Sequence, residues 1–481
     1  MAAHDSSGAN LVVQVKNNKV MRVVPLENEE VNECWIADRD RFSYEALNGE
    51  ERLTQPMLKQ GGEWKTVDWQ TALEYVANGL RNIQRDHGAN SIGALVSPHS
   101  TLEELYLAGA LVRGLGSDNI DHRLRHAEFA VADGVRTLGT SIASLSTLQR
   151  VLVVGANLRK DHPLFALRVR HAVRHGAQLN VLTSAAAFGH ADAWAMPVTQ
   201  AMVCEASAWA QALADVAAAI AAEKGVTAPC AGTATAQAQA IAKSLLGGER
   251  KAVLLGNAAA HHANASSLLA LANWIGEHTG ASVGYLTEAA NTVGAQWVGA
   301  QPQTGGKNAG QMLAGGLKAA LLLNTEPEFD SASGAAAAST LAQAEMVVTL
   351  SPFKANMAFS DVLLPIAPFT ETSGSFVNAE GRLQSFHAVV KPLAETRPAW
   401  KVLRVLANLL DIPGVSFETS QDVLARATAK PLVASNAVRT DIRLAGPVTA
   451  PAVASIYQLD GIVRRAPSLQ LTADARQEVT A

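Results

Sequence analysis

Cysteine is scarce in this chain: three in 481 residues, Cys34, Cys204 and Cys230, far apart and in no C-x-x-C pair. That count excludes a disulfide framework and a cysteine-rich cluster site. No apolar run reaches 18 residues, so the sequence holds no candidate membrane-spanning helix. The start, "MAAHDSSGAN", lacks the basic and apolar regions of a signal peptide, and a cytoplasmic location is expected. Charge of one sign is lacking too. The formal net charge is −4 and Lys and Arg do not cluster, which argues against a nucleic-acid partner.

Hydrophobic residues make up 48% and charged ones 17%, the balance of a well-cored globular protein. The length corresponds to about three domains. Residues 11–26, "LVVQVKNNKVMRVVPL", alternate around Asn17-Asn18 and predict a β-hairpin. "DWQTALEYVANGLRNIQRDHG" predicts an amphipathic helix capped by Asp68 and ended by Gly88. Its apolar positions are Trp69, Ala72, Leu73, Val76, Leu80 and Ile83.

One pattern then recurs seven times: a short apolar run, small or polar residues at its end, and a helical stretch. It occurs at "SIGALVSPHS", "RVLVVGANLRKDHP", "QLNVLTS", "KAVLLGNAAAHH", "AALLLNTEPEFD", "EMVVTLSPFKAN" and "DVLLPIAPFTETSG". Runs apolar on both faces predict parallel strands with crossover helices. Seven exceed one ordinary sheet, so the expected fold is α/β with two doubly wound, mainly parallel sheets. The alanine-rich segment 201–246 reads as two helices. Beyond about Asp411 the texture turns irregular and predicts an extended tail lying on another surface, either of this chain or of a neighbour.

No G-x-G-x-x-G follows any strand, and H-E-x-x-H and G-x-S-x-G are absent. "TGGKN", Thr304 to Asn308, lacks the first glycine and the hydroxyl of a phosphate loop. His122/His126 and His171/His175 are spaced i, i+4 on expected helices, but without a convincing third ligand they read as surface or core residues. The strand ends carry a stronger signal, because ligands of open parallel sheets bind there. Gly155, Asn157, Gly256, Asn257, Asn324 and Asn378 are placed to line one crevice for a large polar ligand; helix caps and turns account for them equally. The glycine-rich stretch "FTETSGSFVNAEGRLQSF" adds Gly374, Gly381 and Arg382, since glycine permits close backbone approach.

"ETSGSFVNAEGRLQSFHAVVKPLAETRPAWKVLRVLANLL" resembles the signature of the molybdopterin oxidoreductase superfamily. With "NLVVQVKNNKVMRVVPLEN", "WIADRDRFSYEALNGEERLTQPMLKQGGEW", "RVLVVGANLRKDHPLFALRVR" and "KAVLLGNAAAHH" in the same order, it is most similar to the large iron–sulfur subunits (75 kDa type) of NADH:quinone oxidoreductase, respiratory complex I. The resemblance implies four parts. These are a small β remnant of a 4Fe–4S domain at 1–55, a first α/β domain at 56–124 plus 282–412, an inserted α/β domain at 125–281, and a tail at 413–481. It also implies departures. The four ligand cysteines of the superfamily's cluster fall on Ala2, Asp5, Ala9 and Ala37, with Cys34 off the pattern. The molybdenum ligand falls at or beside Ala127, with His126 the nearest alternative, and the C-terminal barrel is missing.

The resemblance therefore implies no metal and no catalytic residue in this chain, and a pterin crevice that is only vestigial. It implies 2Fe–2S and 4Fe–4S clusters in an N-terminal part expected to lie outside the chain, and other peripheral-arm subunits as partners. The role implied is structural support of electron transfer from NADH to quinone at the cytoplasmic face of the inner membrane, without insertion into it. The alternatives are a truncated catalytic molybdopterin subunit and a nucleotide-binding module.

Overall fold

The alternation around Asn17-Asn18 closes as a hairpin. In the computed structural model, which describes residues 1–130, 132–189, 194–445 and 449–476, Leu11–Lys16 and Lys19–Pro25 pair antiparallel. Asn17 and Asn18 take φ of 50° and 59°, the left-handed pair whose twist suits a two-residue connection. The helix Trp69–His87 begins where the Asp68 carboxylate accepts the Thr71 N–H, and it ends at Gly88. All six of its expected apolar positions are buried.

All seven apolar runs are strands, and they divide between two sheets. The larger runs Glu63–Thr66, Met57–Gln60, Val362–Pro365, Met346–Ser351, Ala319–Leu323, Ile92–Val96, Ile120–Asp121. Its last five strands are parallel, and the two at the near edge form an antiparallel hairpin. The smaller is parallel throughout: Ser282–Tyr285, Lys251–Leu255, Arg150–Val154, Gln178–Thr183, Gln200–Val203. Both reverse winding direction mid-sheet, beside Ile92–Val96 in one and Arg150–Val154 in the other. Such reversals splay the connections apart and open a crevice at the strands' carboxyl ends. Among the described residues no barrel closes.

Two expectations need correction. Ser282–Tyr285 pairs with Lys251–Leu255, so a boundary at 281/282 assigns it to the wrong sheet. The strand is short, and its Gly284 is required by a crossing segment: a Cβ there would lie 2.0 Å from the Leu138 carbonyl oxygen. The glycine-rich stretch, expected to lend its glycines to a strand-end crevice, instead contains a hairpin of Gly374–Val377 with Leu383–Phe386.

The tail lies on its own chain. Tyr457, Leu459, Val463, Ala466 and Leu469 are buried, and Phe42 packs against that cluster. Arg464 reaches Asp330 at 2.7 Å, and Arg465 reaches Glu326 at 2.6 Å.

Candidate functional site

The carboxyl ends of both sheets face one cavity of about 140 Å³. Connections after Ile92–Val96 and Ile120–Asp121 supply His99, His122, Arg125 and His126, and those after Lys251–Leu255 and Ser282–Tyr285 supply His261 and Glu288. Arg125 donates to Glu288 at 3.1 Å and to Asp330 at 3.3 Å. Burial alone would raise the Glu288 carboxyl, but Arg125, with His261 and His99 beyond it, holds it below the ordinary range. Burial pushes His122 down to about 4 and His126 well below its ordinary value. His122 and His261 each set Nδ1 against a backbone carbonyl, of Ala300 at 3.0 Å and Ala452 at 2.7 Å. A carbonyl only accepts, so both rings carry their proton on Nδ1. The cavity is lined by imidazoles that burial keeps neutral and by three arginines: Arg125, paired with Glu288 and Asp330, Arg123, paired with Asp121, and Arg136, which donates to the Ser435 carbonyl. That suits a small polar molecule, and among the described lining residues there is no thiol.

Of the nine residues expected at one crevice, only Asn257 lines this cavity; Asn324 lines a second, smaller one. Asn157 caps the short helix Leu158–Asp161, accepting the Lys160 N–H and donating to the Ala187 carbonyl. Gly155 and Gly256 serve backbone-to-backbone approach. A Cβ on the first would sit 2.6 Å from Ala259 N, and on the second 2.3 Å from Ala156 Cβ. Asn324 takes φ 51° and donates to Ser100 Oγ at 3.0 Å. Gly374 presses on Thr101, which caps the helix Leu102–Gly114.

Asn378 closes the second hairpin by accepting the Arg382 N–H at 2.9 Å, and it donates to the Ser7 carbonyl at 3.0 Å. Gly381 supplies the positive φ of that turn, and Arg382 pairs with Glu30 and Glu380 at the surface. Asn378→Ala is expected to lower stability by about 1–3 kcal/mol, the cost of stranding buried polar partners. Arg382→Ala should cost under about 1 kcal/mol, because the Arg382 side chain and its Glu30 partner are solvated. Chemical denaturation of each variant measures both, and equal losses would refute the distinction.

The i, i+4 histidines separate. Residues 122–126 are not helical, and His126 packs instead on His261, ring centroids 4.9 Å apart. His171 and His175, by contrast, stay together, tilted rings with centroids 4.4 Å apart, near the end of helix Pro163–Arg174. The cluster with metal-ligand character lies elsewhere and no spacing pointed to it: His4, His99 and Asp460 bring their ligand atoms within 4.8 Å of one another. Two of these residues are 456 positions apart.

The four expected cluster positions are filled by other chemistry. The Ala2 N–H donates to the Ala9 carbonyl at 2.8 Å, and both alanines pack with Val20, Val23, Ile36 and Leu164. Asp5 pairs with the buried Arg39 at 2.9 Å, and Ala37 is also buried. Next to them burial raises the Asp40 carboxyl to about 6, His4 and Arg39 opposing and Asp5 reinforcing the shift. Cys34 is exposed.

A family model described as molybdopterin oxidoreductase matches residues 52–409. The chain belongs to the molybdopterin oxidoreductase family. A second model, the NADH-ubiquinone oxidoreductase NDSU1/NuoG-like 4Fe-4S domain, matches residues 2–45. A domain of 4Fe–4S type thus lies within this chain, where the sequence placed a small β remnant at 1–55, and not only in the part outside it to which the clusters were assigned. This family member is 24% identical over 443 residues to the NADH-ubiquinone oxidoreductase 75 kDa subunit of Reclinomonas americana, covering 86% of this chain and 57% of the relative. It is 29% identical over 458 residues to a NADH-quinone oxidoreductase subunit of Streptomyces coelicolor, covering 85% and 53%. The chain therefore spans about half the length of these curated relatives. Among solved structures, acetylene hydratase from Pelobacter acetylenicus shares the fold, with a TM-score of 0.58 at 14% identity over 89% of this chain and 72% of that one.

Neither group implied by the family finds its donors. A 4Fe–4S cluster needs thiolates, and the buried positions hold methyl groups and an Arg–Asp pair instead. At Ala127 the side chain is a methyl group, and its backbone N–H is spent on the His261 carbonyl at 3.1 Å.

Proposed function

We propose that this chain forms a non-redox, structural part of the large iron–sulfur subunit of NADH:quinone oxidoreductase. The observation that carries the reading is the Arg39–Asp5 pair among Ala2, Ala9 and Ala37: a cluster-type domain whose interior is packed with side chains. The names of the two relatives spanning most of the chain support the assignment. In this reading electrons pass from NADH to quinone through centres carried elsewhere, and the two sheets brace neighbouring peripheral-arm subunits. Attachment at the cytoplasmic face of the membrane is through those neighbours. No helix among the described residues is long and apolar enough to cross a membrane.

A catalytic molybdopterin role is disfavoured by the methyl group at Ala127. A nucleotide-binding role is disfavoured because the cavity's arginines are already committed: Arg125 to Glu288 and Asp330, Arg123 to Asp121, and Arg136 to the Ser435 carbonyl. Elemental analysis of the purified chain is expected to give no stoichiometric iron, molybdenum or tungsten. About four irons or one molybdenum per chain would refute the proposal.

A further inference from the structure

We propose that His4, His99 and Asp460 form a site for one divalent transition-metal ion of the zinc class, joining the first residues, the larger sheet and the tail. One ligand-capable atom from each residue lies within 4.8 Å of the others. His4 and Asp460 are 1% and 5% exposed, and the His99 side chain is 9% exposed.

The spacing suits an ion. His4 Nδ1 stands 2.6 Å from Asp460 Oδ2, and His99 Nδ1 stands 3.8 Å from the same oxygen; in the ion-free chain His99 Nδ1 donates to the Ala3 carbonyl at 3.0 Å, a bond and a proton the ring gives up when the ion binds. Ligand atoms about 2.0 Å from a tetrahedral centre lie about 3.3 Å apart, so the two separations bracket what a bound ion would set. Small opposite movements of the two rings meet it.

The rings are also short of partners. Nε2 of His4 and Nε2 of His99 are both buried with no hydrogen bond, so neither ring is tethered at its far edge and each is free to make the small movement the ion requires. Asp460 is held for the task by its other oxygen: Oδ1 accepts the N–H groups of Ile462 and Val463 at 2.8 and 3.0 Å, which leaves Oδ2 toward the histidines. Beside the cluster is a cavity of about 50 Å³ whose polar lining includes Ser97, Thr101 and Asn324. A water there completes four-coordination. Two imidazoles and one carboxylate suit zinc, cobalt or nickel; they do not suit copper(I) or an iron–sulfur cluster, which want sulfur, nor magnesium or calcium, which want oxygen throughout.

The test is a titration of the full chain, first stripped with chelator, with cobalt(II) as a visible probe. The expected result is one equivalent bound with the intense bands of tetrahedral cobalt, discharged by one equivalent of zinc. His99→Asn and Asp460→Asn should each weaken cobalt binding by about tenfold or more, while His175→Asn on the surface leaves it unchanged. No stoichiometric binding, the pale spectrum of six-coordinate cobalt, or equal affinity in the two ligand variants and the parent overturns the proposal. The His4–Asp460 contact is then an ion pair and nothing more. Should a ligand variant fail to fold, the parent's stoichiometry and spectrum decide alone.

Discussion

Arg39→Met is expected to cost the folded chain about 3–5 kcal/mol at pH 7, the scale of a buried pair broken on one side. Arg39 donates to Asp5 at 2.9 Å and to the Asp161 carbonyl at 3.1 Å, from a position only 2% exposed. Without it Asp5 keeps the Ser7 N–H at 2.8 Å but no cation. Burial alone would raise the Asp5 carboxyl, and Arg39 reverses that, holding it below its ordinary value. A depressed carboxyl contributes stability that is present above its unfolded value and lost as pH falls through the folded one. Removing Arg39 inverts the shift, so the deficit should narrow as pH falls from about 7 to about 5. Adding Asp5→Asn should restore more than half of the loss, because the stranded charge goes with it. Urea unfolding of the two single variants and the double variant gives the coupling. A single-variant loss under about 1 kcal/mol would show that the interior tolerates an uncompensated Asp5, against the role given to the pair.

Asp161→Asn has the opposite sign. Burial raises the Asp161 carboxyl to about 7; the Asn157 N–H and Arg39 pull it down, and Glu288 pushes it further up. A raised carboxyl contributes stability fully present below the unfolded value, near 3.8, and lost as pH climbs through about 7. Asparagine keeps an oxygen for the Asn157 N–H, now accepted at 2.9 Å by Oδ2, and never ionises. The variant should match the parent only below about pH 4 and pull ahead as pH rises, by about 2–4 kcal/mol near pH 8, from a shift of about three units at 1.36 kcal/mol each less relaxation. Glu104 and Asp40, raised by burial to about 7 and about 6, leave both proteins a residual slope of the same sign. Melting curves from pH 5 to 8 test the difference, and a gap that stays constant with pH would show that Asp161 is not the group titrating.

Much of this architecture was legible because its signals are local. Asn17-Asn18 demands positive φ whatever surrounds it, Asp68 caps its own helix, and strands buried on both faces announce themselves as apolar runs. What stayed hidden depends on the chain meeting itself. Ser282–Tyr285 is short, and its Gly284 has meaning only once the Leu138 carbonyl crosses it. The glycines of the second hairpin read as freedom, yet Gly374 is small because Thr101 is pressed against it. The spacing of His122 and His126 fits a helix, but no helix forms there, and a period of four cannot reveal that by itself. His4, His99 and Asp460 share no period at all. Of the expected site residues, those chosen for strand-end position were placed correctly along the chain, but most proved to be caps and crossings.

The bond between His4 and Asp460 closes a loop of nearly the whole chain. Contacts this distant in sequence form late, since the entropy of bringing the ends together must be met before they give anything back. The tail settles onto Glu326 and Asp330 only when the larger sheet already presents them. Its docking is therefore conditional on a finished sheet. A molecule whose larger sheet is unfinished leaves Tyr457, Val463 and Leu469, buried in the folded chain, exposed to water.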